Sequence, residues 1–313
     1  MSETDPRCQP SRSGDCPPPL PGPQLQLIPT RDAVLGESMT IRRALPSRLR
    51  RMIGAWCFLD HFGPADVGGG DGLRVGPHPH TGLQTFTWVL QGEILHRDSL
   101  GVEQLIRPGQ VNLMTAGRGI SHSEESPAQR GTRLHGAQLW IALPDGVRQT
   151  APDFAHYPEL PVLERGGFRL TVLAGGLLGQ RAPTQLYSPL LGLDLHAEQA
   201  ADLHLPLDPG FEHGALVLEG EVTVEDQPLP IGQLLYLGLG REQLRIRCAA
   251  PARLLLIGGA PFGEEILLWW NFVGRSRAEL TQAVRDWNAG HGFGEVRGYP
   301  GARLSSPLPP WAG

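Results

Sequence analysis

The stretch Leu83-Gln-Thr-Phe-Thr-Trp-Val-Leu-Gln-Gly-Glu-Ile-Leu-His96 decides the fold class. Side chains of an extended strand alternate between its faces, so Phe86, Trp88 and Leu90 share one side. Gly92 opens a turn before Ile94, and further turn signals follow at Asp98-Ser-Leu-Gly101 and Arg107-Pro-Gly109. Short strands punctuated in this way predict an antiparallel barrel and not βαβ units. The chain therefore reads as all-β.

The same pattern returns downstream. Val89-Leu-Gln-Gly-Glu-Ile94 and Pro108-Gly-Gln110 are echoed by Val217-Leu-Glu-Gly-Glu-Val222 and Pro230-Ile-Gly-Gln233. Repetition at an offset of roughly 125 residues predicts two copies of one module. Near the C-terminus, Ser276-Arg-Ala-Glu279 has the pattern of a capping box. Leu280, Ala283, Val284 and Trp287 follow at helical spacing, and Gly290 supplies a stop. This short helix is expected to lay its apolar stripe on a barrel. Trp269 and Trp270, just before it, would point to opposite faces of an extended segment, one to the core and one to the domain junction.

Composition narrows the function classes. The 313 residues suffice for two domains, and a net charge of −5 gives no general attraction to nucleic acid. All 27 basic residues are arginine. Arg42, Arg43, Arg48, Arg50 and Arg51 form the one dense positive cluster, read as a solvated strand-and-loop edge or, as the lesser alternative, a docking patch for an acidic partner or nucleic acid. Cys8, Cys16, Cys57 and Cys248 lack zinc-type spacing and suggest a reducing compartment, with a Cys8–Cys16 bridge as the lesser alternative. No signal-peptide pattern or apolar run of ~18 residues is present, so the expected location is the cytoplasm, with no membrane contact. Residues 1–24, with seven prolines, read as a disordered arm whose Pro17–Pro23 stretch resembles a polyproline ligand. Ser305-Ser-Pro-Leu-Pro-Pro310 reads as a second tail.

Chemistry concentrates in two short segments, His78-Pro79-His80 and His122-Ser123-Glu124. Each places two potential ligands at i and i+2, on one face of a strand. Two such strands facing each other would make a pocket of three imidazoles and one carboxylate. That set suits a borderline divalent ion, non-haem Fe(II) foremost, with Mn, Ni, Cu or Zn as competitors. The residues taken alone also fit hydrogen-bonded strand positions. His96 and Asp98 form another i, i+2 pair but enter a turn, and are read as solvent-facing. His61 lines the cavity mouth or caps a turn, and His135, His156, His196, His204 and His291 stand alone. Gly117-Arg118-Gly119 is expected to form a tight turn ahead of the second ligand segment.

Phe58-Leu-Asp-His-Phe-Gly-Pro64, Pro77-His-Pro-His-Thr-Gly82, Gly92–Gly101 and Met114-Thr-Ala-Gly-Arg-Gly-Ile-Ser-His-Ser-Glu124 together resemble the pirin family of the cupin superfamily. The likeness resumes at Ile257-Gly-Gly-Ala-Pro-Phe-Gly263 and Trp269-Trp-Asn-Phe-Val-Gly-Arg-Ser276. It implies a bicupin: two β-barrels of jelly-roll, or double-stranded β-helix, type with a short C-terminal helix. The expected division is a tail (1–24), a metal-binding cupin (25–160), a cupin without metal that ends in the helix (161–292) and a final tail (293–313). The resemblance assigns one metal, iron foremost, to His78, His80, His122 and Glu124. Many cupins carry a ligand glutamate where this chain has Gln84, which is expected to support the site or pack. Superposing Gly92 on Gly220 puts Pro206 and Asp208 where the first histidine pair would stand, and His213 falls elsewhere.

Two functions follow from the likeness. One is a flavonol 2,3-dioxygenase that opens quercetin with O₂ and releases carbon monoxide. Its metal would serve as Lewis acid toward the 3-hydroxyl, Glu124 as general base, and Phe86, Trp88 and Met114 as possible cavity walls. The other is a non-enzymatic, redox-sensitive regulator that acts through protein contacts, as a transcription cofactor or a modulator of metabolic enzymes.

Overall fold

The computed structural model describes residues 8–16, 22–36, 39–69, 72–129 and 131–312. Two sandwiches of the same construction make up the molecule. The first opposes a seven-stranded sheet to a four-stranded one. The large sheet runs, in spatial order, Asp153–Tyr157, Val111–Thr115, Leu83–Gln91, Arg133–Ala142, Trp56–Asp66, Met39–Leu45 and Arg31–Leu35. The small sheet runs Arg74–His80, Ile120–Glu125, Ile94–Asp98 and Glu103–Ile106. The second sandwich repeats the seven-plus-four plan, as the sequence echo predicts.

One strand crosses the expected boundary. Pro23–Pro29 precedes the first barrel in sequence yet pairs antiparallel with Gln233–Gly238 in the second. Residues 8–16 also depart from the expectation of a disordered arm. Ser11 and Arg12 pair with Leu268 and Leu267, and Ser13 N donates to Ile266 O at 3.0 Å. Most of the Pro17–Pro23 stretch lies outside the described residues. Cys8 and Cys16 are not joined by a disulfide.

The two large sheets pack back to back. Trp56, Phe86, Trp88, Leu113 and Leu139 of the first barrel share one buried cluster with Leu216, Leu255, Ile257 and Tyr236 of the second. Burying each such side chain is worth about 1.5–3 kcal/mol, so the junction is held by apolar area. Trp56 Nε1 also donates across it, to Gly258 O at 3.1 Å. Phe86 and Trp88 therefore face the second barrel and do not wall the interior of the first. Their neighbours Thr85 and Thr87 turn into the first barrel, as the alternation of the opening stretch requires.

The helix Arg277–Ala289 forms as its sequence signals dictate. Ser276 accepts a hydrogen bond from Glu279 N, and Gly290 ends the helix with φ 82°. Leu280, Val284 and Trp287 are buried against Trp269, Trp270, Phe272 and Phe293. The two tryptophans thus share one cluster instead of dividing between core and junction, because Trp270 adopts φ 51° in a hairpin turn and breaks the extended alternation.

The final residues return across the small sheet of the first barrel. Leu304 N donates to Pro77 O at 2.8 Å, and Ser121 Oγ lies 3.1 Å from both Phe293 O and Gly294 O. The arginine cluster is a solvated edge only in part: Arg48 is exposed and Arg42 and Arg51 are half-buried, but Arg43 and Arg50 are interior. Arg43 is buried in a bidentate ion pair with Asp60 at 2.7 and 2.8 Å, and the buried Arg50 stacks 3.9 Å over Tyr236.

Candidate metal centre

His78 and His80 end the strand Arg74–His80, and His122 lies on its neighbour Ile120–Glu125. The antiparallel register sets His122 opposite His78 and Ile120 opposite His80. Opposed residues and residues two apart share a face, so backbone pairing alone gathers the three imidazoles. Their ligand atoms lie within 4.8 Å of one another, and all three side chains are buried.

Hydrogen bonds fix which ring nitrogens are available. His78 donates Nδ1–H to Gly76 O at 2.8 Å, and His80 donates Nδ1–H to Asn271 O at 3.0 Å. A carbonyl can only accept, so both rings carry their proton on Nδ1 and offer a lone pair at Nε2. His78 Nε2 is buried without a partner among the described residues, and His80 Nε2 lies 3.0 Å from His122 Nε2. Buried polar atoms are ordinarily satisfied, so convergent lone pairs of this kind fit a cation. Burial also holds the pKa of His78 down to about 3 and those of His80 and His122 well below the usual imidazole value, with repulsion among the rings adding to it for the latter two. Ligation needs neutral imidazole, which burial secures.

Two family models match, one described as Pirin over residues 38–141 and one as the pirin C-terminal cupin domain over residues 192–294. The chain belongs to the pirin family. It is 54% identical over 313 residues to a Pseudomonas aeruginosa protein provisionally named quercetin 2,3-dioxygenase, covering 99% of this chain and 98% of that one. It is 38% identical over 257 residues to a pirin-like protein of Caulobacter vibrioides, covering 80% and 88% of the two chains. Among solved structures it matches one described as quercetin 2,3-dioxygenase from Acinetobacter baumannii. That match has a TM-score of 0.89 and 50% identity, and covers 91% of this chain and 96% of the other.

The remaining sequence expectations distribute unevenly around this pirin centre. Glu124 is buried two residues beyond His122, but a bulge between them shifts the register, and Glu124 lies outside the compact imidazole group. His96 and Asp98 are not solvent-facing: they are 4% and 1% exposed. His96 Nδ1 lies 3.3 Å from His122 Nδ1, and His96 Nε2 lies 3.1 Å from Asp98 Oδ2. The signal for them was in the sequence, since His96-Arg-Asp98 has the same i, i+2 spacing as His78-Pro-His80. Gln84 points away from the centre and donates to Thr115 Oγ1 at 3.0 Å and Gln185 O at 3.1 Å.

His61 neither lines a cavity mouth nor caps a turn. It faces the second barrel, its Nε2 2.8 Å from His135 Nε2, and His135 Nδ1 lies 3.0 Å from Glu219 Oε1. His135 is accordingly not solitary. Gly117 takes φ 53° in the expected turn, with Arg118 exposed. In the second barrel Pro206 and Asp208 are exposed while Leu203, Leu205 and Leu207 fill the interior.

The first barrel's interior is more polar. Trp140 stands edge-on to His80 with ring centroids 5.1 Å apart and stacks on Phe58 at 3.9 Å. Its Nε1 and the Gln138 Nε2, two positions away on the same face, are buried donors without a partner among the described residues. Thr87 Oγ1 donates to Gln138 Oε1 at 2.8 Å, which leaves the amide nitrogen turned inward.

Proposed function

We propose that this pirin is a metal-dependent oxygenase of planar, oxygen-rich aromatic substrates, with a quercetin-like flavonol 2,3-dioxygenase reaction as its activity. The observation that carries the reading is the pairing of two features in one barrel: three convergent imidazoles, and on the strand whose Trp140 ring meets His80 edge-on, the buried donors Trp140 Nε1 and Gln138 Nε2, which have no partner among the described residues. The names of the relatives agree with it. His78, His80 and His122 would hold one divalent ion, Fe(II) foremost, with Glu124 completing the set. The ion would supply Lewis acidity and a redox partner for O₂.

The chain's own residues supply the rest. Trp140 and Gln138 offer N–H groups to substrate oxygens, and a substrate lacking those oxygens would leave the donors buried and unpaired. Glu124 receives the proton of the substrate hydroxyl. Burial of the centre keeps bulk water from the reacting atoms. The protein would work in the cytoplasm with no direct nucleic-acid contact.

Anaerobic loading with Fe(II), and separately with Mn, Ni, Cu and Zn, followed by quercetin and O₂, tests this reading. Quercetin loss with carbon monoxide release, dependent on one metal and abolished in His80→Ala, is the expected result. One observation favours a second reading, a redox-responsive regulator that docks other proteins. His78 and His80 are 0% and His122 1% exposed, which shields the ion from a bulky substrate. Stoichiometric metal without flavonol turnover supports that alternative.

A further inference from the structure

The ring of His122 faces two competing partners. Its Nε2 lies 3.0 Å from His80 Nε2, and its Nδ1 lies 3.3 Å from His96 Nδ1. A neutral imidazole carries one ring proton. If that proton sits on Nε2, it is donated to the lone pair of His80, and His122 is closed to a metal ion. If it sits on Nδ1, it is donated to His96, and Nε2 is open.

We propose that Asp98 and His96 form a buried relay that holds His122 in its open tautomer, making both of them positioning residues of the metal centre. The proposal rests on the reading of His78, His80 and His122 as metal ligands. It begins at the turn after the strand Ile94–Asp98. Asp98 Oδ1 accepts from Leu100 N at 2.9 Å and Val102 N at 3.1 Å, which pins the carboxylate and aims Oδ2 at His96 Nε2, 3.1 Å away. A carboxylate accepts only, so His96 carries its proton on Nε2. Its Nδ1 is then a lone pair, and the one arrangement that satisfies both rings has His122 donating Nδ1–H to it. Phe154 stacks on the His96 ring with centroids 4.5 Å apart and an interplanar angle of 23°, which fixes the ring plane. Register reinforces the alignment: His122 pairs opposite Asp98, and Glu124 opposite His96.

The chain Asp98–His96–His122 extends to two steps the usual carboxylate–histidine support of a metal ligand. His78 and His80 are supported by single backbone carbonyls of Gly76 and Asn271. The three imidazoles are therefore unequal. His122 alone is backed by a charged group, and its Nε2 is the strongest donor of the three.

Asp98→Asn tests the relay with an isosteric change. The amides of Leu100 and Val102 keep the side-chain oxygen on their own side, so the new NH₂ faces His96 Nε2. His96 must then accept at Nε2 and carry its proton on Nδ1, which forces His122 into the closed tautomer. With the full-length, metal-free protein and zinc alone as titrant, Asp98→Asn is expected to weaken binding by about 10- to 100-fold. The melting temperature of the metal-free variant should stay near that of the parent chain. The Cu(II)-loaded variant should lose the nitrogen couplings of one imidazole in its electron paramagnetic resonance spectrum. His96→Phe, which keeps a ring against Phe154 but removes the acceptor, should show the same loss. His96→Gln, whose amide oxygen can accept from His122 Nδ1, should retain most of the affinity.

Parental zinc affinity and an unchanged Cu(II) spectrum in both Asp98→Asn and His96→Phe would overturn the proposal. So would a fall in melting temperature with affinity intact, which would make the pair a structural support only. A parent chain that binds none of these metals would instead remove the metal-site reading itself.

Discussion

The polar interior of the first barrel places unusual demands on single residues. Arg43 and Asp60 lie wholly inside it, paired at 2.7 and 2.8 Å beneath the Phe58 ring, which stands 4.3 Å from the guanidinium carbon. Removing one partner strips the other buried charge of its bidentate counter-ion, at a cost of about 3–5 kcal/mol. Arg43→Met should therefore lower the urea midpoint by that equivalent, whereas the double change Arg43→Met with Asp60→Leu should recover much of it. Trp140 allows a separate test of function. Trp140→Phe keeps the stack on Phe58 and deletes only the Nε1 donor. On the oxygenase reading it should reduce flavonol kcat/KM by about 10-fold, the worth of one hydrogen bond to a buried donor, without changing metal content. These residues also mark the limit of sequence legibility. Arg43 was grouped with Arg42 by proximity along the chain, but strand alternation sends neighbours to opposite faces, and only pairing with Asp60, 17 positions away, reveals Arg43 as interior. The histidine pairs were legible because i, i+2 spacing is itself the strand period.

Among elements, the strands that alternate cleanly were readable, and the terminal segments were not. The echo of Val89–Ile94 in Val217–Val222 exposed the duplication because the turn after each Gly is built into the sequence itself. Nothing local in proline-rich tails signals that they will be recruited, since the hydrogen bonds that anchor them reach distant partners. Trp287 Nε1 donates to Leu304 O at 2.8 Å, Trp269 Nε1 to Pro307 O at 3.0 Å, and Asn288 Oδ1 accepts from Ser306 N at 3.0 Å. The returning tail and the helix therefore clamp one another on the outer face of the sheet that carries the imidazoles. Ending the chain after Gly292 would remove these acceptors and uncover Gly76, whose missing Cβ lets Ala302 O approach. Such a truncation should lower the melting temperature and speed hydrogen exchange of the strands Arg74–His80 and Ile120–Glu125, with little effect on the second barrel. Equal loss of protection in both barrels would show that the clamp serves the whole molecule and not this sheet.

At the scale of the whole molecule, the junction between the barrels joins a broad apolar cluster to a small set of titratable groups, of which the two histidines are buried. His61 and His135 meet across adjacent strands of the first barrel, Glu219 reaches His135 from the second, and Arg42 and Arg253 stand near enough to repel a charged imidazole. Burial, followed by repulsion from His135 and Arg42, holds the pKa of His61 down to about 3. Within the second barrel burial holds His213 down to about 4. In the unfolded chain both would titrate near the ordinary imidazole value of about 6.5. Above that value neither state binds the proton, and these groups leave stability independent of pH. As the pH falls below it, the unfolded state takes up protons that the folded state refuses, so stability is lost progressively, toward about pH 3 for His61 and about pH 4 for His213, by about 1.4 kcal/mol per pH unit for each. The metal-free protein should accordingly show a flat urea midpoint from pH 8 to 7 and a steep decline between pH 6 and 4.5. His61→Phe should flatten that decline by the share of one histidine, because the replacement fills the same buried space without a titrating group. An unchanged slope in His61→Phe would mean that His61 takes up its proton in the folded junction over the same pH range as in the unfolded chain.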